Sequence, residues 1–267
     1  MILAAEISKV AHSLGLGERT IEKDYVLTWI LFAIADLPLR DRLAFKGGTA
    51  IKKVYAPGYR FSEDLDFTLL DPQITNEELR IGIEALFPWL EREANLRLEI
   101  RESDIHVGGN PTFYLNYVGP LQAGLGSRFL KVDISRDETI IFPSEKRPLR
   151  ALYTDCQNRK FLIETYSPEE ILAEKLRSLL TRTEPRDLYD IHYMLANQMV
   201  DVGKMVFSMG PKFEAKGLMV GNLRTILTRR RATFKKLWTK RLEGQMPEIP
   251  SLEKVIRETN RFIQNNL

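Results

Sequence analysis

Two aspartates alternate with apolar residues in the segment Arg60–Phe67, which reads Arg-Phe-Ser-Glu-Asp-Leu-Asp-Phe. Residues i and i+2 of a strand point to the same face, so Asp64 and Asp66 project together while Leu65 points into a core. Two carboxylates on one face repel each other unless a cation lies between them, and hard oxygen ligands suit Mg²⁺. The segment therefore predicts a strand that is buried on one face and holds a divalent metal ion on the other.

A glycine pair lies upstream, in the segment Phe45–Thr49, between residues typical of a strand and residues typical of a helix. A glycine turn that opens a helix favours a phosphate group, because free backbone N–H groups and the helix dipole point at it. Gly47 and Gly48 could also form an ordinary left-handed turn, and Lys46 could pair with an acidic neighbour. A magnesium site beside a phosphate-binding turn indicates nucleotide chemistry, which is the leading interpretation.

The composition is typical of a globular protein and bears on its compartment. The chain has 267 residues, 44% of them hydrophobic and 28% charged, enough for one large domain or two smaller ones. Cys156 is the only cysteine, which excludes an intrachain disulfide and fits the reducing cytoplasm. Glu6 and Lys9 interrupt the N-terminal residues, so we expect no signal peptide. The longest apolar stretch, Tyr25–Ala35, is too short to cross a membrane.

The order of the predicted elements indicates an α+β fold. Apolar spacing predicts two helices within the first 35 residues, strands at 43–45, 62–70, 96–101, 112–118 and 129–135, and helices at 49–55 and 75–93. From Ser167 onward the pattern is helical, and Ser167–Glu170 is typical of a helix start. We therefore expect a catalytic domain at residues 1–150, with a mixed sheet and flanking helices, and a helical C-terminal domain at residues 151–267.

A later strand supplies a third acidic candidate. In the segment Phe129–Ser135, apolar residues at every second position face one side and Asp133 faces the other. A nucleotidyltransferase holds a triphosphate, places a hydroxyl in line with it and neutralises charge at the phosphorus. Two metal ions bridged by carboxylates commonly do this. We therefore expect Asp133 to join Asp64 and Asp66 as a metal ligand.

The positive charge of the chain is concentrated near its end. Residues 201–267 hold 14 Lys and Arg against 6 Asp and Glu, whereas the first 200 residues hold 25 against 30. Eight of the cations lie between Arg224 and Arg241, where there is no acidic residue, on a predicted helix with an apolar stripe. This basic face could simply be solvated, or it could bind RNA through the phosphates. The candidate RNA-binding residues are Arg229, Arg230, Arg231, Lys235 and Lys236.

Taken together, these segments resemble the AbiEii/AbiGii type of nucleotidyltransferase toxin, within the DNA-polymerase-β-like nucleotidyltransferase superfamily. The resemblance extends over residues 22–195 and depends on several motifs jointly, because the glycine pair alone would be a weak signal. The motifs are Glu22–Tyr25, Phe45–Lys53, Arg60–Phe67, Lys131–Ile134, Glu170–Arg177 and Arg186–Ile191.

The resemblance implies a polymerase-β-like mixed sheet and a toxin of a toxin–antitoxin or phage-defence system. Such toxins transfer a nucleotide from an NTP with Mg²⁺ as cofactor, and in characterised members the acceptor can be the tRNA 3′ end. A cognate antitoxin protein is then an expected partner. The implied nucleotide-binding residues are Gly48 and Thr49, with Lys46, Gly47 and Ser62 beside them.

The resemblance also assigns the catalytic set. Asp64 and Asp66 hold the metal ions, Lys175 contacts phosphate, and Asp187 orients or deprotonates the acceptor hydroxyl. Lys175 lies on a predicted helix where a lysine could instead be merely solvated.

Two other functions stay open on the sequence alone. One is a transferase that modifies a small molecule or a protein, against which the basic helix argues mildly. The other is a nucleotide-sensing or RNA-binding module without turnover, against which the intact carboxylates and Lys175 argue.

Overall fold

The computed structural model describes residues 1–267, and the chain folds into two compact units. The first unit consists of Met1–Glu138 and Ser144–Thr165, and the second of Thr139–Pro143 and Tyr166–Leu267. The short segment Thr139–Pro143 thus belongs to the second unit, although first-unit residues flank it in the sequence. No helix combines the length and the apolar character that a bilayer-crossing segment needs.

A mixed seven-stranded sheet forms the centre of the first unit. Its strands are β1 (Leu43–Lys46), β2 (Asp64–Leu69), β3 (Arg97–Ile105), β4 (Pro111–Val118), β5 (Phe129–Ser135), β6 (Glu145–Pro148) and β7 (Leu162–Thr165). Across the sheet they lie in the order β3-β4-β5-β2-β1-β7-β6. The pairs β2/β5 and β1/β7 are parallel, and the other neighbouring pairs are antiparallel. Strand β2, with its two aspartates, is therefore the middle strand.

Five α-helices belong to the first unit. They are α1 (Ala4–Leu14), α2 (Glu18–Asp36), α3 (Gly47–Ala50), α4 (Asn76–Glu84) and α5 (Leu86–Ala94), and α3 continues into a π-helical turn at Ile51–Tyr55. Every residue of α2 from Tyr25 to Ala35 is buried. A helix that is apolar on all sides must be enclosed by other elements, so α2 is a core helix of this unit.

A buried ion pair links α2 to the helical segment that begins with the glycine pair. The ammonium of Lys53, in the π-helical turn after α3, lies 2.7 Å from Oδ2 of Asp24 in α2. It also donates to the hydroxyl of Thr28 at 2.7 Å, and the Tyr153 hydroxyl donates to Asp24 at 2.7 Å. Because a buried charge is tolerated only when paired and hydrogen-bonded, these contacts fix the orientation of the segment after the glycine turn.

The second unit is helical. Its helices are α6 (Pro168–Thr181), α7 (Pro185–Ala196), α8 (Val202–Ser208), α9 (Gly210–Glu214), α10 (Leu223–Leu242) and α11 (Leu252–Asn266). The predicted start of α6 is confirmed, because the Ser167 hydroxyl accepts from the backbone N–H of Glu170 at 3.2 Å and Pro168 occupies the first turn.

A second buried ion pair holds the segment Thr139–Pro143 in this unit. Lys212 and Glu170 are fully buried, and their charged groups are 2.6 Å apart. The other carboxylate oxygen of Glu170 accepts from two consecutive backbone amides of the segment, at 3.0 and 2.9 Å. Lys212 also donates to a backbone carbonyl of the segment at 2.9 Å. Charge-assisted hydrogen bonds therefore anchor this short stretch at three points.

The expected α+β class is confirmed, and the sheet is larger than the sequence pattern indicates. Strands β6 and β7 lie in the stretch where prolines interrupt the pattern, and each has only four residues. Both belong to the first unit, so residues 151–165 lie there, whereas the sequence pattern assigns them to the helical domain. The helix expected at 75–93 is divided into α4 and α5, which meet at Ala85.

Candidate active site

One row of polar side chains crosses the sheet of the first unit. From β1 through β2 and β5 to β4, the Cα partners are Lys46, Asp66, Asp133 and Thr112. Directly opposite residues have their side chains on the same face of a sheet. Asp64 shares this face with Asp66, while the residues between and after them are buried on the other face. The structure thus brings the three carboxylates that the sequence singles out to one face.

Two neighbours hold the carboxylate of Asp133. The Thr112 hydroxyl donates to its Oδ1, and Nζ of Lys131 lies 3.2 Å from its Oδ2. Partial burial by itself lowers the pKa of the Lys131 ammonium, but Asp133 and Asp64 outweigh this effect and the pKa lies above its usual range. Lys131 therefore stays charged at neutral pH and offsets the repulsion among the carboxylates.

Strand β1 runs directly into α3 through the glycine pair. Gly47 has φ of 77°, in the left-handed region that glycine adopts without strain. A Cβ at Gly47 would overlap the carboxylate of Asp66, and a Cβ at Gly48 would lie 2.7 Å from Nη2 of Arg60. The two missing side chains therefore let a carboxylate and a guanidinium approach the start of α3.

Three further side chains surround this turn. The Thr49 hydroxyl donates to the backbone carbonyl of Asp64 at 2.5 Å, which fixes α3 to the beginning of β2. The buried Lys46 donates to the Ser135 hydroxyl at 3.1 Å. The Ser62 hydroxyl approaches the second glycine, 3.4 Å from where a Cβ would lie. The expected nucleotide-binding residues therefore lie around one turn, although Lys46 and Thr49 have structural partners.

A buried lysine anchors the loop that leads into β2. Lys52, in the π-helical turn after α3, donates to the backbone carbonyls of Pro57 at 3.2 Å and Tyr59 at 2.9 Å. Its ammonium lies 3.6 Å from the centroid of the Phe61 ring. Burial lowers the pKa of Lys52 to about 8, so the side chain is still protonated at neutral pH. The loop is thereby held in one conformation just before the paired aspartates.

A second cluster of charged residues lies in the second unit. The ammonium of Lys175, in α6, is 2.7 Å from Oδ1 of Asp187 and 2.8 Å from Oδ2 of Asp190, both in α7. Arg182 contacts the other oxygen of Asp187 at 2.7 Å. The two aspartates are three positions apart, so they share the side of α7 that faces α6. The structure therefore pairs the two catalytic candidates of this unit with each other.

The ion pairs determine the charge state of Asp187. Burial by itself raises the pKa of its carboxyl, but the Lys175 ammonium and the Arg182 guanidinium outweigh it, and the pKa lies below its usual range. Asp187 is therefore ionised at neutral pH and a weak base. The geometry suits a residue that orients Lys175 better than one that accepts a proton.

The predicted basic helix is α10, and its cations are not equivalent. The guanidinium of Arg230 donates to the backbone carbonyls of Leu179 and Leu180, both at 2.8 Å, in the last turn of α6. It thereby satisfies carbonyls that have no donor within their own helix. The remaining candidates are exposed on α10: Arg229, Arg231, Lys235 and Lys236.

The sequence model of the AbiEii nucleotidyl transferase toxins of type IV toxin–antitoxin systems matches residues 29–261. The chain belongs to the AbiEii family. This AbiEii toxin is thus a nucleotidyltransferase, an enzyme class that takes its nucleotide from an NTP, and its family implies an antitoxin. The resemblance inferred from the motifs is confirmed.

Solved structures support the fold of the AbiEii toxin. MenT4, a nucleotidyltransferase toxin from Mycobacterium tuberculosis H37Rv, is 17% identical with a TM-score of 0.69, and the match covers 99% of this chain and 90% of MenT4. JHP933 from Helicobacter pylori is 18% identical with a TM-score of 0.60, covering 94% and 92% of the two chains. At this identity the likeness shows a shared fold. No curated protein matches the chain in sequence.

The donor chemistry of the sheet face fits a divalent metal ion. Asp66 and Asp133 are cross-strand partners, Asp64 shares their face, and carboxylate oxygens are the ligands that Mg²⁺ prefers. Nowhere in residues 1–267 are three or more His, Cys, Asp or Glu side chains arranged as a metal site. Lys131 lies 3.2 Å from one oxygen of Asp133, so a metal ion at that oxygen would compete with this ammonium.

The sequence predicts no role for three side chains at this site: Lys131, Thr112 and Arg60. The period of two places Lys131 on the same face of its strand as Asp133, but it does not show that the two side chains form an ion pair. Arg60 begins the aspartate motif, but no local pattern shows that its side chain folds back against the glycine pair. Thr112 is a neighbour only through strand pairing, which the sequence alone does not specify.

Proposed function

We propose that the AbiEii toxin transfers a nucleotidyl group from an NTP to the 3′ end of a tRNA, with Mg²⁺ as the divalent ion. The supporting observation is the contact between the Asp66 carboxylate and the glycine turn that opens α3. Ligands for a cation and backbone donors for a phosphate therefore lie side by side. In-line transfer to a hydroxyl requires this combination.

The proposed reaction exchanges one phosphorus–oxygen bond for another. The acceptor hydroxyl oxygen forms a bond to the α-phosphorus of the NTP, and the bond from that phosphorus to the oxygen shared with the β-phosphate breaks. Pyrophosphate leaves with the electron pair of the broken bond, and the hydroxyl proton passes to water. Asp64, Asp66 and Asp133 would hold the divalent ion, which would neutralise charge at the phosphorus.

The glycine turn binds the triphosphate in this proposal. Backbone N–H groups of Gly48 and Thr49 donate to phosphate oxygens, and Lys46, Gly47 and Ser62 line the same turn. Arg60 supplies a positive charge beside the glycine turn, because its guanidinium lies against Gly48. A guanidinium forms strong, directional hydrogen bonds to phosphate.

Lys175 and Asp187 are the proposed catalytic residues of the second unit. We expect Lys175 to neutralise phosphate charge and Asp187 to act as a positioning residue for it. Since Asp187 is buried, ionised and bonded to two cations, it holds the ammonium of Lys175 in one place. An anchored ammonium loses less side-chain entropy when it binds phosphate than a mobile one does.

The acceptor and the setting are also part of the proposal. We expect the exposed cations of α10 to contact tRNA phosphates, without Arg230, whose guanidinium binds the carbonyl end of α6. The toxin acts in the cytoplasm, where NTPs and tRNA are available, with a cognate antitoxin, and a role in phage defence fits such a system.

One labelling experiment tests the proposed function. Purified toxin is supplied with each α-labelled NTP in turn, with Mg²⁺, total tRNA and cell extract, and the labelled product is identified. We expect label on tRNA, pyrophosphate release in equal amount, and no label with EDTA. The variant carrying Asp64→Ala and Asp66→Ala controls for contaminating transferases, since neither side chain enters the core.

The outcomes separate the alternatives. Label on a protein or a small molecule would show that this molecule, and not tRNA, is the acceptor. Nucleotide binding without any label would leave a silent nucleotide-binding or RNA-binding module and contradict the proposal.

A further inference from the structure

The polar face of the sheet continues past the carboxylates onto β4 and β3. In the next row the Cα partners are Asp64, Lys131, Tyr114 and Glu102, and in the row after that they are Phe129, Asn116 and Glu99. The glycine turn lies on the β1 side of Asp66, whereas these rows lie on the β5 side. The carboxylates thus have the nucleotide-binding turn on one side and this extension on the other.

Two aromatic rings lie on the extension. Phe129 is 41% exposed and shares its face with Asp133, four positions along β5, a distance of roughly 13 Å. The ring of Tyr114 is its neighbour, with centroids 6.0 Å apart and planes inclined by 56°. Exposing a phenyl ring on a sheet gives up the free energy that burial would supply. An exposed ring beside the carboxylates is therefore available to stack on a ligand.

Two cations accompany the rings. Cζ of Arg101 lies 5.3 Å from the centroid of Phe129, and Nζ of Lys131 lies 5.7 Å from that of Tyr114. Arg101 lies on this face because it is two positions after Glu99, whose Cα partner is Asn116. The pairing of β3 with β4 shifts register between Ile100 and Glu102, and this bulge brings Glu102 to the same face, opposite Tyr114. A cation therefore lies over the exposed ring.

We propose that Arg101, Tyr114, Phe129 and Lys131, here called the aromatic platform, bind the single-stranded 3′ end of an RNA acceptor. Unpaired bases stack on aromatic side chains and on guanidinium planes, and lysines bind the phosphates between them. When the terminal hydroxyl of the RNA lies at the carboxylates, the nucleotides that precede it lie over the platform. The inference rests on the proposed function and adds where its acceptor lies.

Acidic side chains limit where the RNA can lie at the outer edge of the platform. Glu99, Glu102 and Asp104 lie on β3, the edge strand beyond the platform, where they repel a phosphate backbone. The phosphates therefore run along the Lys131 side. A duplex presents no free base faces for stacking, so the platform selects single strands.

Binding is tested without turnover. A short, unstructured, fluorescein-labelled RNA is titrated with the toxin in EDTA, and its dissociation constant is read by fluorescence anisotropy. We expect Phe129→Ala and Tyr114→Ala each to weaken binding by roughly tenfold, in the range for loss of one base stack. Phe207→Ala is the matched control, since Phe207 is 92% exposed and lies in the other unit. A duplex of the same length should bind equally to all these proteins.

The cations are tested by salt dependence. Arg101→Ala should reduce the slope of log affinity against log salt by roughly one. Arg147→Ala, on the short edge strand β6, should leave the slope unchanged, although its side chain is as exposed as that of Arg101 (48% and 46%). Circular dichroism and melting temperature establish that each variant is folded.

Several results would overturn the platform. Unchanged affinity for single-stranded RNA in both ring variants would do so, as would weaker binding of an NTP analogue with RNA affinity intact, because the rings would then stack the incoming base. Label transfer to tRNA that is unaffected by Phe129→Ala, with RNA affinity unaffected too, removes the platform and leaves the proposed function standing. RNA affinity that depends on Phe129 in a protein without transferase activity removes only the proposed function.

Discussion

The carboxylates of the two charged clusters lie in opposite environments. On the sheet of the first unit, Asp64, Asp66 and Asp133 are partly exposed. In the second unit, Asp187 and Asp190 are buried against cations of the same unit. A buried carboxylate costs several kcal/mol unless it is paired, so the second cluster must contain its own cations. Partly solvated carboxylates can exchange their partners, and only the first cluster is suited to receive and release a metal ion.

The largest effect should come from the first cluster and be confined to activity. We expect Asp66→Asn to lower kcat/KM for label transfer by about 10³ or more, because metal-ion catalysis contributes several kcal/mol. The melting temperature should stay close to that of the parent protein. Glu145→Gln, on the short edge strand β6, is the matched control, because its side chain is 45% exposed and has no role in the proposed site. A large stability loss in Asp66→Asn would erase the distinction between the clusters.

Substitutions in the second cluster should lower the stability of the protein. Lys175→Met leaves Asp187 and Asp190 without their shared ammonium, and we expect the free energy of unfolding to fall by roughly 3–5 kcal/mol, with loss of activity. Urea denaturation measures this change. Arg182→Met should cost less, because the Arg182 side chain is 60% exposed and water can replace it. Equal losses in the two variants would show that burial is not what distinguishes them.

The pH dependence follows from the depressed pKa of Asp187. A carboxylate whose pKa is lower in the folded state adds stability above its unfolded value of 3.8, and this is lost as the pH falls through the folded value. Relative to Asp187→Asn, the parent protein should gain roughly 1.5–3 kcal/mol at neutral pH. The gap between their urea midpoints should shrink below pH 3.8. A gap that is constant with pH would contradict an ionised Asp187.

A smaller effect tests the glycine turn. Gly47→Ala forces a side chain into the left-handed region and against the Asp66 carboxylate, so we expect a loss of about 1–2 kcal/mol in stability together with weaker metal and nucleotide binding. Gly58→Ala is the control, because a Cβ there meets nothing within 4 Å and its φ is not positive. Calorimetric titration with Mn²⁺ and an NTP analogue would detect the change.

The smallest effect tests whether Lys131 and a metal ion compete for the Asp133 carboxylate. Lys131→Met removes the ammonium that would compete with a metal ion for Asp133, and we expect Mn²⁺ to bind up to about fivefold more tightly, in line with the free energy of a partly exposed ion pair. Electron paramagnetic resonance of free Mn²⁺ gives the dissociation constant. Unchanged or weaker binding would mean that Lys131 and the metal do not compete for Asp133.

The sequence allowed most of the first cluster to be predicted because its information is local. Alternation at a period of two places Asp64 beside Asp66, and a glycine pair before a helix marks the turn. The contacts that strand pairing creates could not be predicted: Asp66 lies opposite Asp133, Thr112 lies opposite Asp133 on its other side, and a register shift brings Glu102 opposite Tyr114. Strand order depends on packing between distant segments.

The short strands β6 and β7 show the same limit. Strand β6 is exposed along its length, and β7 alternates between less and more buried residues over only four positions, which is too short a pattern to identify a strand. Arg230 is a further case. Its position in a basic run predicts an exposed side chain or one that binds RNA, whereas its guanidinium donates to backbone carbonyls of α6. A contact that depends on a partner from another element has no signature in its own segment.

The anchored segment Thr139–Pro143 determines where this chain can be cut. Because the polypeptide enters the second unit, returns, and enters it again, no single cleavage yields two self-sufficient pieces. A fragment starting at Tyr166 would strip Glu170 of two amide donors and Lys212 of a carbonyl, leaving that interior pair poorly solvated. Dissection of the toxin therefore has to carry these five residues along, for example by a linker that reattaches them ahead of α6.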